Sequence, residues 1–223
     1  GAAGVAAGGA SALAAGQAGG RAGTRTAPFR ATRHAQDNWL DAIPGGHRVV
    51  IDAVSPDGAG AAILFAANLY TANEAGYHLG DRDLAIVICM RHFATPFAYS
   101  DAFWQKYGTP LGQTLGKMVK LSDPKTSQAP VRNIYQAADI DPMSMPSLGN
   151  TLDSVLKRGT HLAVCDMATH FMAQQLAKAT SANEDAVYKE LVASAVSNSH
   201  FVTAGVVGIN RAQERGYTLI YAG

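Results

Sequence analysis

Hydrophobic positions along the chain fall into short apolar runs separated by longer stretches with helical spacing. Leu84-Ala85-Ile86-Val87-Ile88-Cys89 and Leu162-Ala163-Val164 are apolar without alternation, the signature of strands covered on both faces. His47 to Val54, Phe201 to Ala204 and Tyr217 to Tyr221 read as three further strands. Between them, Ala61 to about Glu74 is helix-like and strongly apolar, so a well-buried helix is expected there. A short helix is expected from Ser100 to Lys106, carrying Phe103 and Trp104. Leu148, Leu152, Val155 and Leu156 fall on one helical face, with Gly159 as its C′ residue. A helix bearing Phe171, Met172 and Leu176 follows the central strand His161–Cys165. Ser181 and Glu184 form a capping box for the next, whose apolar stripe is Tyr188, Leu191, Val192, Ala195 and Val196. Gly205 to about Arg215, closed by Gly216, is the last helix. Strands that alternate with helices predict an α/β fold: an open, mostly parallel five-stranded sheet with helices on both faces, flavodoxin-like in layering.

Three stretches fall outside this rhythm. Residues 1–20 are almost wholly Ala and Gly, and such a segment has little to pack. It reads as the weakly hydrophobic core of an export signal, with Ala12-Leu13-Ala14 as a small-x-small cleavage site, or as an Ala/Gly linker. Its low hydrophobicity suits a twin-arginine signal better than a Sec signal, which places the expected domain in the periplasm. Residues 21–46 form a polar arm anchored by Trp39, Leu40 and Ile43. Residues 108–146 contain Pro110, Pro124, Pro130, Pro142 and Pro146 without a sustained period. This insertion is expected to cover the strand ends or to build a subunit contact. The α/β domain itself is expected over 47–223.

Ser55 to Gly60 reads as a turn. Gly58-x-Gly60 between strand and helix invites a dinucleotide reading, which fails because Ile63 stands where the third glycine belongs.

The chemistry gathers at two strand ends. Cys165 closes the central strand at the start of a helix, where a helix N-terminus favours a thiolate. Buried free cysteines also serve as small hydrophobes, so both roles stay open. Cys89, Arg91 and His92 end the second strand. Arg91 and His92 could take an anion, or Arg91 could pair with an internal Asp. Cys89, His92, Cys165 and His170 could converge on zinc, copper or haem iron if the two strands are neighbours. No cofactor is firmly implied. Met143 and Met145 are a weaker soft-metal pair, better read as packing. Two cysteines exclude a disulfide framework but leave a single bridge or a dithiol open. A net charge of +1 gives no electrostatic case for nucleic acid, and no internal run is long and apolar enough to span a bilayer.

The second half resembles the DsrE/DsrF-like family of sulfur-relay proteins. The resemblance is carried by Gly159-Thr160-His161-Leu162-Ala163-Val164-Cys165 and by the strand–helix–strand ending Gly205 to Tyr221, and residues 48–74 fit as well. It covers most of 47–223 apart from the insertion. It implies a DsrE-like fold, a persulfide carried on Cys165 and handed to a partner protein, and assembly into trimers or hexamers. The apparent export signal, the insertion and the Cys89/His92 cluster depart from the family. Sulfur carriage or other thiol chemistry through Cys165 is therefore one expectation. A non-catalytic metal, haem or small-ligand binding protein, or an oligomeric scaffold, is the alternative.

Overall fold

The structure, a computed structural model, describes residues 30–223. The expected export signal or linker at 1–20 and the first residues of the arm lie outside the described residues. The compact unit runs from Arg33 to Gly223.

Among the described residues, five strands form one all-parallel sheet: β1 (His47–Ala53), β2 (Leu84–Met90), β3 (His161–Cys165), β4 (Ser199–Val202) and β5 (Thr218–Tyr221). Their order is β4-β3-β2-β1-β5. Among the described residues, seven α-helices connect and cover them: α1 (Trp39–Ala42), α2 (Pro56–Tyr77), α3 (Asp101–Leu115), α4 (Leu152–Lys157), α5 (Asp166–Thr180), α6 (Glu184–Ala193) and α7 (Gly205–Gln213). The expected α/β architecture is what the chain adopts, with flavodoxin-like layering. In the flavodoxin order 2-1-3-4-5 the strand outside β1 comes second in the chain. Here that edge strand comes last.

This order decides which face each helix takes. From β1 to β4 the chain steps across the sheet in one direction, so right-handed crossovers put the connecting helices on one face. The hop from β4 back to β5 runs the other way and puts α7 on the opposite face. The cores agree. Ile63, Tyr70, Trp104, Leu152, Met172 and Leu191 pack with Ile51, Ile86, Ile88 and Val164 on one side. Leu40, Ile43, Ile209, Ala212 and Tyr217 pack with Val50, Val87, Cys89 and Ala163 on the other.

Several element boundaries differ from the sequence reading, each for a local reason. Ser55 to Gly60 is the start of α2, not a turn. Ser55 caps it by accepting from the Gly58 amide at 2.9 Å, and Pro56 takes the first helical position. Gly58 and Gly60 are there for close approach: a Cβ would meet the Gly223 carbonyl at 2.3 Å and the Tyr135 ring at 2.6 Å. α3 extends to Leu115 and so takes in the first eight residues of the expected insertion, Pro110 included. Leu148 is exposed with φ 47°, outside α4. Ser181 is the left-handed C-cap of α5, and Asn183 caps α6 through the Ala186 amide instead. Ala195 and Val196 lie beyond the end of α6.

The rest of the insertion is pinned chiefly by two residues. Buried Asn133 donates to the carbonyls of Phe97 and Tyr99, both at 2.9 Å. The Tyr135 hydroxyl donates to the Pro56 carbonyl at 2.7 Å. The segment thereby closes over the N-terminus of α2, beside β1. Met145 is buried there and Met143 is exposed, so the two thioethers do not act as a pair. No helix among the described residues is long and apolar enough to cross a membrane.

Candidate functional site

The helix after β3 and the helix after β4 leave the sheet toward opposite faces. That divergence opens a crevice at the carboxyl ends of these two strands, the position where ligands collect in open α/β sheets. A cleft of about 410 Å³ lies there. Cys165, the last residue of β3, is in its lining. Met167, Ala168, Phe171 and Met172 of α5 contribute one side. Ala204, Gly205 and Val206 at the start of α7 contribute the other, and Arg91, His92 and Phe93 complete it. The first turn of α5 is held by a relay. The Tyr99 hydroxyl donates to Thr169 Oγ1 at 2.7 Å, and Thr169 donates to the Cys165 carbonyl at 3.0 Å. Burial pushes the Tyr99 phenol well above its ordinary pKa, so this relay stays protonated.

Cys165 is 5% exposed, and among the described residues its sulfur has no hydrogen-bond partner. Its neighbour Asp166 is engaged elsewhere. It accepts from the Tyr188 hydroxyl at 2.8 Å and lies 3.7 Å from His170. Burial and the bond to Asp166 both raise the Tyr188 phenol's pKa, which keeps its proton on this bond.

Arg91 is committed to Asp52, the last charged residue of β1. The pair is bidentate, 2.6 Å from Nε and 2.9 Å from Nη2, and both side chains are largely buried. The bond to Asp52 holds the guanidinium charged even more firmly than usual. Of the two roles open to Arg91, the internal ion pair is the one it occupies. Its aliphatic stem lies against Gly205, where a Cβ would fall 2.5 Å from Arg91 Cβ. His92 sits exposed with φ 50°.

Two expected partners of Cys165 lie outside the cleft lining, although Cys89 is near the end of the neighbouring strand, at the same edge of the sheet. Cys89 faces the α7 side of the sheet, fully buried and outside the cleft lining. It is on the strand next to Cys165, its register partner being Ala163. Both thiols are free. The Cys89 thiol donates to the Gly205 carbonyl at 3.5 Å, and burial, with the nearby Asp52 charge, pushes its pKa far up. His170 is exposed and stacks on Tyr188 with ring centroids 4.0 Å apart. The four-residue metal set therefore does not come together. Among the described residues no three His, Cys, Asp or Glu side chains are placed to hold a metal ion. The insertion does not line the cleft either; it is fastened to the N-terminus of α2.

Two features escaped the sequence reading. Asp52 was its own signal: the one acid inside an apolar strand. The other is a pair of histidines under Trp39. His161 Nδ1 and His200 Nε2 are 2.9 Å apart, and the Trp39 ring stacks on His200 with centroids 4.0 Å apart. Burial lowers the pKa of both histidines, His200 to about 4 with a contribution from His161.

The chain matches no protein-family model, no curated protein and no solved structure.

Proposed function

We propose that Cys165 is the working group of this protein and carries sulfur, as the resemblance to the DsrE/DsrF-like family implies. The observation that carries the reading is the position of Cys165. It lines a cleft at the point where the helices after β3 and β4 diverge, with its sulfur engaged by no other group among the described residues. In the transfer step the Cys165 thiolate attacks the outer sulfur of a donor persulfide. The sulfur–sulfur bond of the donor breaks, and its inner sulfur leaves as a thiolate. The outer sulfur stays on Cys165, and no external oxidant is needed. Mass spectrometry after incubation with a persulfide donor tests this. One added sulfur on the Cys165 peptide is expected, and its absence rejects the reading.

A second reading, a small-ligand binding protein without catalysis, is favoured by the nearly all-carbon lining of the cleft. Wild type and Cys165→Ser would then bind a ligand alike.

Assembly into a homo-oligomer belongs to the same proposal. β5 is an open sheet edge with Leu219 and Tyr221 exposed, and Phe65, Leu69, Ala72 and Ile220 line a shallow depression beside it. Light scattering at micromolar concentration decides between a multimer and a monomer. Work in the periplasm rests on the composition of residues 1–20 alone, and cell fractionation tests it.

A further inference from the structure

The cleft beside Cys165 has a polarity of its own, and it names a class of ligand. Its lining is apolar side chains and Gly205, interrupted by Arg91, His92 and Cys165. Arg91 would be the natural anchor for an anion, but its guanidinium is spent on Asp52 through two short bonds, so the charges cancel within the protein. His92 is exposed to solvent. A carboxylate or phosphate entering the cleft would lose its hydration and find no unpaired permanent cation in return, and desolvating an unpaired ion is costly. Apolar surface has the opposite balance. Met167, Phe171 and Val206 are 66%, 43% and 58% exposed at the cleft, and covering them with hydrocarbon is favourable. A volume of about 410 Å³ falls in the range of small-molecule sites.

We infer that the cleft binds an uncharged small molecule with an apolar body, an alkyl chain or an aromatic ring, and discriminates against anions. The inference deepens the proposed function and rests on the same cleft. It says that whatever Cys165 reacts with arrives as a lipophile, or shares the cleft with one. Met172, buried under the cleft, and the exposed, flexible side chain of Met167 supply adaptable contact to such a body.

The test is equilibrium binding of N-phenyl-1-naphthylamine, an uncharged probe that brightens in apolar surroundings, to the full chain at pH 8. Displacement by decanol and by decanoate compares one chain with two head groups. Decanol should displace the probe at least about tenfold better than decanoate, a difference of about 1.4 kcal/mol. Ala168→Phe, which fills the cleft from α5, should weaken the probe by about tenfold or more. Val206→Asp, at an exposed position where folding is not at stake, should do the same. Tyr135→Phe, in the insertion and away from the cleft lining, should bind the probe within about threefold of wild type, well under the tenfold that 1.4 kcal/mol represents.

Failure of the probe to bind wild type, decanoate displacing as well as decanol, or full affinity in both Ala168→Phe and Val206→Asp would each overturn the inference. So would probe affinity that falls as protein concentration rises, which would mean that a second copy of the chain covers the cleft. The sulfur-transfer reading fails on a different readout. Cys165 untouched by a persulfide donor, with probe binding intact, removes that reading alone. Cys165 modified, with the probe excluded, removes the lipophile alone.

Discussion

Arg91 and Asp52 join the carboxyl ends of β2 and β1 by a bidentate ion pair, 2.6 and 2.9 Å long, at the margin of the cleft that holds Cys165. Register places Asp52 opposite Cys89, one residue short of the strand end, so the guanidinium reaches back across the sheet edge to find it. The pair neutralises the one permanent cation in the cleft lining, which gives it a role in selectivity as well as in stability.

Asp52→Asn should therefore do two things. It leaves a largely buried guanidinium without its counter-charge, which costs about 3–5 kcal/mol for a fully buried pair and somewhat less here, where Arg91 keeps partial contact with solvent. It also frees a cation beside the cleft, so the preference for decanol over decanoate should shrink or reverse. Urea unfolding and the displacement assay read the two effects separately.

Gly205→Ala places a methyl group 2.5 Å from Arg91 Cβ and 2.9 Å from its Cδ. Neither α7 nor the pinned Arg91 can yield freely, and overpacking of this kind costs about 1–3 kcal/mol. The expected outcome is a lower denaturation midpoint with an unchanged slope. Wild-type stability would show that the start of α7 shifts without cost.

Acid should weaken the protein through His161 and His200. Both have pKa values lowered in the fold, His200 from 6.5 to about 4. The unfolded chain then binds more protons than the native one between those values. The stability is fully present above about pH 6.5 and declines as pH falls through it, the His200 part levelling off near pH 4. Both rings are partly solvated, so the loss is discounted to about 1–2 kcal/mol. His200→Phe keeps an aromatic ring under Trp39 and should flatten this part of the pH profile.

Tyr135→Phe removes the bond from the insertion to the Pro56 carbonyl at 2.7 Å. About 1 kcal/mol of stability should be lost. Reactivity at Cys165 and probe binding should not change, because the insertion is fastened away from the cleft. A change in either would show that the insertion reaches the site.

The layered architecture was legible because the unbroken apolar runs of β2 and β3 have few alternatives to central parallel strands. Cys165 at a strand end was legible from the same pattern. The cleft wall was not. It depends on α5 and α7 leaving toward opposite faces, and that follows from β5 returning to pair with β1, a contact between residues far apart in the chain. Local spacing carries no trace of it. Gly58 and Gly60 misled for a related reason: they resemble turn glycines, yet the Gly223 carbonyl and Tyr135, both distant in sequence, are what require them. Cys89 and His170 shared the strand-end neighbourhood but not its direction. One faces the α7-side core, and the other stacks on Tyr188.

The most direct measurement is made on the Cys89→Ser chain, in which Cys165 is the single thiol. The folded protein is treated with a small persulfide donor and its cysteine peptide weighed, with and without decanol. Sulfur transfer in the cleft predicts that Cys165 gains the mass of one sulfur atom and that decanol slows the gain. A Cys165 that stays unmodified in the folded protein, and reacts only once the chain is unfolded, would contradict it and leave the residue as core packing.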